Sequence, residues 1–420
     1  MILKQVTLID GRRADIEIEN GVITKIGSVL RSGLDCSGLV ALPGMVDLHT
    51  HLREPGFEQS ETIASGSRSA AKGGYTAVFA MANTSPVQDT SETCDWVFDK
   101  GAEVDLVRVQ PIGAITKTIA GKELAPISEM AAARSKVSVF SDDGNCLTDA
   151  ELMRLALLEV KKFGGVIAQH SQDHSMTNGS LMNDGELSAE LGLAGWPRLA
   201  EEDIIARDAQ LALETGSRLH VCHVTTEGAV DAVRWAKAKG ANITAEVTPH
   251  HLLLTEELVR TYDPVYKVNP PLRTKRDTEA LRNALVDGTI DILATDHAPH
   301  SSEKKQCEFA SAAFGMVGLE VAASVLYEVL IKEGGSDWNR YVSASSELPA
   351  RIGNLPDFGF IAEGKPANLM LFDPAASLRV PSQTQSLSSN NPWAGKELPG
   401  AVLHTIFRGR FTVKDGVIND

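Results

Sequence analysis

Five short apolar runs in this chain end in histidine or aspartate. One closes as Asp47-Leu48-His49-Thr50-His51, a second as Ser141-Asp142-Asp143-Gly144 and a third as Gln169-His170. The others close as Val221-Cys222-His223 and as Ala294-Thr295-Asp296-His297-Ala298-Pro299-His300. Neutral imidazole and carboxylate are preferred ligands of Zn²⁺, and a site that keeps one coordination position open is catalytic. Residues two apart on a strand point to one face, so His49 and His51 can turn toward the same ion. A lone histidine in a strand is more often a hydrogen-bonded core residue than a ligand. The weight therefore rests on convergence, with His49, His51, His170 and His223 joined by Asp143 and Asp296. Of the other histidines, His220 is expected to alternate away toward a helix. His250 and His251 fit a structural role as well as a place on the rim. His297 reads as a support for Asp296, and His174 and His404 have no evident partner.

Convergence requires a frame. Apolar runs bounded by Gly, Pro, Asn and Asp recur at Val46–His51, Tyr75–Met81, Leu106–Ile112, Lys136–Ser141, Val166–His170, Leu219–Val224, Ile243–Thr248 and Ile290–Asp296. Helical periodicity fills several of the intervals, at Ile63–Lys72, Glu151–Lys162, Ile204–Leu213 and Gly228–Ala238. Strands alternating with helices in this number predict an α/β fold of the (β/α)₈ TIM-barrel type, whose active site lies where the strands end. All five His/Asp-bearing runs then deliver their side chains to one rim.

The two ends read differently. Asn20-Gly21 predicts a tight turn between Asp15–Glu19 and Val22–Ile26. The tail shows strand-like segments at Asn368–Phe372, Ala401–Arg408 and Arg410–Val413, followed by a turn at Asp415-Gly416. Neither end buries a core alone, so both are expected to combine into one small β-sandwich domain. The expected division is 1–44 and 356–420 for that composite domain and 45–355 for the catalytic barrel. A polar segment, Ser301–Ala313, reads as a lid over the site.

Composition excludes several classes. With 420 residues the chain suits one large barrel plus a smaller module. Apolar residues at 43% and charged residues at 23% are the balance of a globular protein. No apolar run approaches the roughly 18 residues that span a bilayer, and the first residues lack the features of a signal peptide. Cytoplasmic residence is the expectation, with no membrane partner. A net charge of −15 argues against a nucleic-acid surface. Five scattered cysteines without a C-x-x-C pair exclude a disulfide framework or zinc ribbon.

His49-Thr50-His51-Leu52-Arg53-Glu54-Pro55-Gly56 resembles the signature of the dihydroorotases, in the amidohydrolase superfamily. The resemblance runs on through Met81-Ala82-Asn83-Thr84, Ser141–Gly144, Tyr266–Arg273, Ala294–His300, Phe314-Gly315 and Asn391-Pro392-Trp393, nearly the whole chain. One departure is Ala82, where the family usually has proline. The resemblance implies one or two Zn²⁺ ions, held by His49, His51, Asp143, His170, His223 and Asp296, with Asp143 bridging. Relatives that bridge with a carboxylated lysine carry it on the fourth strand. Here the only lysine of that strand is Lys136, at the opposite end, which implies the bacterial branch that bridges with aspartate. Asp296 corresponds to the catalytic aspartate, which takes a proton from the attacking water and passes it to the leaving ring nitrogen. His51, Arg53, Asn83, Asn269, His300, Phe314 and Gly315 correspond to substrate-binding positions, with Arg53 suited to grip a carboxylate through two parallel hydrogen bonds.

The implied activity is the reversible cyclisation of N-carbamoyl-L-aspartate to L-dihydroorotate in pyrimidine biosynthesis. Another cyclic amidase, a dihydropyrimidinase or an allantoinase, would share the barrel and metals but has no ring carboxylate for Arg53. A non-catalytic partner of aspartate transcarbamoylase would have lost ligands, and none is missing here. A homodimer and an association with aspartate transcarbamoylase are both compatible with the sequence, which shows no interface for either.

Overall fold

The structure, a computed structural model, describes residues 1–419. Eight parallel strands form its centre: Met45–Thr50, Tyr75–Ala80, Arg108–Pro111, Val139–Phe140, Val166–Gln169, Leu219–Val221, Ile243–Val247 and Ile292–Leu293. The first three pair in one ladder and the last five in another. Single bridges from Gly113 to Phe140 and from Thr50 to His297 close the two ladders into a barrel. All eight expected strands are present, generally shorter than their apolar runs.

Period-two alternation explains how the barrel fills. Val46, Leu48, Ala77, Phe79, Val139, Val166, Ala168, Cys222 and Ile292 pack together in its interior. Their strand neighbours Met45, Val78, Phe140, Ile167, Val221 and Leu293 pack outward beneath the helices. Both faces are apolar, as a strand buried on both sides requires.

The helices start where side chains satisfy their free N–H groups. Ile63–Lys72 begins in a reciprocal capping box between Thr62 and Ser65. Ala150–Lys161 begins with the Asp149 carboxylate accepting from the Leu152 N–H. Met153, Ala156, Leu157 and Val160 form the buried stripe of that second helix, at the spacing that marks one helical face.

Both chain ends meet in a nine-stranded sheet beside the barrel. Arg13–Glu19 and Val22–Gly27 form a hairpin. Asn20 and Gly21 both adopt the positive φ that such a turn demands, at 50° and 82°. Val40–Pro43 pairs antiparallel with the start of Leu369–Arg379, joining the N-terminal strands to the C-terminal ones. Leu3, Ile16, Ile18, Ile23, Leu369, Leu371 and Ile406 are its core. The architecture is a TIM barrel with a β domain built from both termini. No helix of the described residues is long and apolar enough to cross a membrane.

Candidate active site at the barrel rim

Simple alternation would not bring all the candidate ligands together. Val46 and Leu48 face the barrel interior, so strict period two would send His49 outward. The first strand advances from Asp47 to Thr50 while its neighbour advances only from Val78 to Ala80. That extra residue is a bulge, which re-aims the chain as bulges beside active sites do. His49 and His51 consequently both face inward. A second break serves His223. Cys222 is interior, and a φ of 29° at His223 turns the next side chain in as well. Asp296 (φ 44°) and Arg53 (φ 62°) also sit in left-handed backbone. Such conformations cost about 1–3 kcal/mol for residues other than glycine and gather at functional sites.

Asp143 is the centre of the cluster. Its Oδ1 lies 3.3 Å from His49 Nε2, 3.2 Å from His170 Nδ1 and 3.6 Å from His223 Nε2, and its Oδ2 lies 3.2 Å from His51 Nε2. Asp296 Oδ1 is 3.1 Å from His51 Nε2 and 3.4 Å from His49 Nε2. Three overlapping triads result: His49, His51 and Asp143; His49, His223 and Asp296; Asp143, His170 and His223. All six residues are buried. Burial favours a neutral Asp143, but the facing imidazoles of His49, His170 and His223 outweigh it and hold its carboxyl well below the usual range. Asp296 is likewise held low against burial, chiefly by His49 and His51.

Two observations fit this cluster to a metal ion. His49 Nε2 and Asp143 Oδ1 are buried without any hydrogen-bond partner, a costly state for polar atoms that have no ion to bind. Three imidazoles also have their outer nitrogens engaged: His49 Nδ1 by Glu246 Oε1 at 2.6 Å, His51 Nδ1 by Asn83 Oδ1 at 3.0 Å and His170 Nε2 by Gln172 Oε1 at 2.8 Å. Each acceptor takes the ring proton outward and leaves a lone pair facing the cluster, the usual arrangement of metal-binding histidine.

The remaining candidates line the approach to this cluster. Arg53 Nε donates to the Pro299 carbonyl at 3.1 Å, and Nη2 lies 3.5 Å from His300 Nε2. Among the described residues no carboxylate lies within ion-pair distance of it. His300 Nε2 donates to the Phe314 carbonyl at 2.7 Å, and burial followed by the Arg53 charge pulls this imidazole down to about 3. It is therefore neutral at physiological pH. Gly315 adopts a φ of 148°, and a Cβ there would meet Ala298 O at 2.7 Å and the His300 ring at 2.9 Å. Asn269 donates to Gln172 at 3.1 Å, while its Oδ1 is buried and unpartnered. Gln172, Lys267, Asn269 and Phe314 border a cleft of about 710 Å³ next to the cluster. The segment expected as a lid forms another of its walls, at Ala310, Ser311 and Ala312. It is held down by two buried lysines: Lys305 Nζ donates to the carbonyls of Lys267 and Ala313, and Lys267 Nζ to those of Phe309 and Ala310.

Several residues stand elsewhere than expected, or were not expected at all. His220 faces the barrel interior, not a helix, with Nε2 2.9 Å from Glu246 Oε2. It shares the inward parity of Cys222, whereas alternation from His223, which lies beyond the break, points it the other way. The His297 ring turns away from Asp296 to Glu61, 3.3 Å away, while its carbonyl accepts from the His51 N–H at 2.9 Å. His250 and His251 are fully buried against one another, and His251 reaches Thr248 and the Pro270 carbonyl. His174 accepts from the Cys146 N–H and His404 from the Asp415 N–H. Glu246 and Gln172 were missed, since an isolated Glu in a strand and a Gln after a His carry no signal of their own. The inward parity of Glu246 was nonetheless readable from Ile243–Thr248.

The dihydro-orotase-like family profile matches residues 38–229. The chain is 52% identical over 421 aligned positions to the dihydroorotase of Streptomyces coelicolor, covering 99% of this chain and 98% of that one. It is 54% identical to the dihydroorotase of Leifsonia xyli subsp. xyli (98% and 95% covered) and 48% to that of Mycobacterium tuberculosis (97% of each). Among solved structures it superposes on the L-hydantoinase (dihydropyrimidinase) of Arthrobacter aurescens with a TM-score of 0.89 at 23% identity, covering 100% of this chain and 97% of that one. For the D-hydantoinase (dihydropyrimidinase) of Thermus sp. the TM-score is 0.84 at 26% identity, with 100% and 96% covered.

Proposed function

The chain belongs to the dihydroorotase family, and from that premise we propose how its rim performs the reversible, metal-dependent cyclisation of N-carbamoyl-L-aspartate to L-dihydroorotate in pyrimidine biosynthesis. The observation that carries the proposal is the convergence of His49, His51, Asp143, His170, His223 and Asp296 on one another, with Arg53 beside them. The donor set of imidazoles and carboxylates suits Zn²⁺, and His49, His51, Asp143, His170, His223 and Asp296 would hold one ion or two. When bound, the metal supplies Lewis-acid polarisation of the ring amide carbonyl and acidifies water to a pKa of about 7.

The chain's own residues do the rest. Arg53 holds the ring carboxylate of dihydroorotate with two parallel charge-assisted hydrogen bonds. The Pro299 carbonyl, accepting from Arg53 Nε, holds the guanidinium on one side. Asn83 serves His51 through its Oδ1 and the Asp143 carbonyl through its Nδ2, so its contact with substrate adds to a positioning task. Asn269 offers its unpartnered Oδ1 to a ring N–H, and the backbone at Phe314-Gly315 flanks the ring. Asp296 takes the proton of the attacking water as the new C–O bond forms. It then gives that proton to the ring nitrogen as the C–N bond breaks, producing N-carbamoyl-aspartate. Closure runs the same transfers in reverse, with water leaving.

In this reading residues 45–355 form the catalytic unit and 1–44 with 356–420 the β unit, in a cytoplasmic enzyme. Sizing of the purified protein with and without aspartate transcarbamoylase tests for a homodimer and for a transcarbamoylase complex. The catalytic reading is tested by turnover of L-dihydroorotate before and after chelation and zinc restoration, with Arg53→Ala in parallel. Zinc-restored turnover that Arg53→Ala abolishes is expected. A folded, zinc-loaded protein that ignores dihydroorotate but opens hydantoin or dihydrouracil would overturn it.

A further inference from the structure

We propose that Glu246 is a positioning residue for the metal site, fixing His49 as a ligand and anchoring the turn that presents His223. The inference rests on the metal-binding reading of the rim given above. Glu246 lies on the seventh barrel strand, is fully buried, and has no lysine or arginine within ion-pair distance among the described residues. Its Oε1 lies 2.6 Å from His49 Nδ1 and 3.2 Å from the His223 backbone N–H, and its Oε2 lies 2.9 Å from His220 Nε2. His220 is held in turn by Thr244, whose Oγ1 is 2.8 Å from His220 Nδ1. Thr244, His220, Glu246 and His49 thus form a continuous line from the barrel interior to the rim.

The proton positions follow from the chemistry of the carboxylate. An ionised carboxylate accepts and cannot donate, so both facing imidazole nitrogens carry their hydrogens toward Glu246. His49 is left with its lone pair on Nε2, the unpartnered atom that faces Asp143 and Asp296. His220 is left with a lone pair on Nδ1, which the Thr244 hydroxyl satisfies. A buried carboxylate is costly unless fully hydrogen-bonded, and a glutamine of nearly the same volume would fill this place without the charge. What the charge adds is a stronger hold on the His49 ring proton and greater basicity at Nε2. The same oxygen holds the His223 N–H, so one carboxylate orients a ligand from the first strand and another from the sixth.

A rival arrangement makes Glu246 a ligand itself, because His49, Cys222 and Glu246 also offer ligand atoms within 4.8 Å of one another. Titration of the metal-free full-length protein with Zn²⁺ against a chromophoric chelator separates the two. Glu246→Gln is expected to weaken zinc binding about 10- to 100-fold and to lower kcat with little change in KM, while Cys222→Ser binds zinc as the unaltered protein does. Equal affinity in Glu246→Gln overturns the proposal. So does weakened binding in Cys222→Ser, or a thiolate charge-transfer band in the cobalt-substituted protein. If Glu246→Gln does not fold, nitrogen-15 spectra of the unaltered zinc-loaded protein decide: His49 Nδ1 protonated is expected, and His49 Nδ1 bare overturns it. An unaltered protein that binds no zinc at all would instead remove the metal reading on which this one stands.

Discussion

Asp142 and Asp143 are adjacent and chemically identical, and their surroundings give them different tasks. Asp142 accepts from the N–H groups of Ile115 and Thr116, at 2.8 and 3.0 Å, and from the Thr116 hydroxyl. It ties the loop after the third strand to the end of the fourth. Asp143 turns the other way, into four imidazoles. Asp142→Ala leaves two buried N–H groups without an acceptor and is expected to cost about 1–3 kcal/mol, read as a lower urea midpoint with the metal content intact. At Asp296 the account predicts a kinetic effect. Asp296→Asn removes the proton carrier and lowers kcat by about 10²- to 10⁴-fold, measured on L-dihydroorotate with the variant's metal content restored. Arg53→Lys keeps the charge but loses the planar fork. A drop in kcat/KM of about 1.5–3 kcal/mol, the scale of a hydrogen bond to a charged group, is the expected result.

At the scale of elements, the rim depends on departures from regularity, and these bound what the sequence could tell. The eight strands were legible because apolar runs bounded by turn residues are a strong signal. The inward direction of His170 and Asp296 followed from parity with Val166, Ala168, Ile292 and Ala294. The bulge at His49 was not legible: no glycine or proline marks it, and the Asp47 carboxylate braces it from within the fold. The Asp47 carboxylate accepts from the His49 N–H at 3.0 Å and from the Thr295 hydroxyl at 2.6 Å, a contact between residues 248 positions apart. The turn at His223 was hidden for the same reason, and it misdirected the reading of His220. The segment 301–313 was recognisable as polar and well placed, but its two lysine anchors were not, since both bond to backbone carbonyls. Burial, then the nearby Lys267 charge, pulls the Lys305 amine down to about 7. The unfolded chain therefore holds this proton at pH values where the folded chain has released it, and folding stability gains as pH rises from about 7 toward the unfolded value near 10.4. Urea unfolding across that range should show the gain in the unaltered protein and its absence in Lys305→Met. A parallel rise in both would contradict the assignment.

On the scale of the whole molecule, the barrel and the β domain are built by different logic. The barrel is local apart from its closure between Thr50 and His297, each strand pairing with the next along the chain. The β domain joins residues more than 300 positions apart, Leu42 with Met370 for example, so the strands and turns of each end were legible but not the register in which the two ends pair. Leu42 is fully buried at that junction, and Leu42→Ala is expected to destabilise the protein by about 2–5 kcal/mol. The rim also enters the global balance, because it holds two carboxylates and four imidazoles with two buried atoms unpartnered. A metal that binds only the folded form stabilises it by mass action. The most direct test of the account is to measure bound zinc and dihydroorotate turnover together for the unaltered protein, Asp142→Ala and Asp143→Ala. The account predicts that Asp143→Ala loses zinc and turnover together, while Asp142→Ala keeps its zinc and loses only stability. An Asp143→Ala protein with full zinc and full turnover would contradict the claim that this rim is the metal site at which the ring opens and closes.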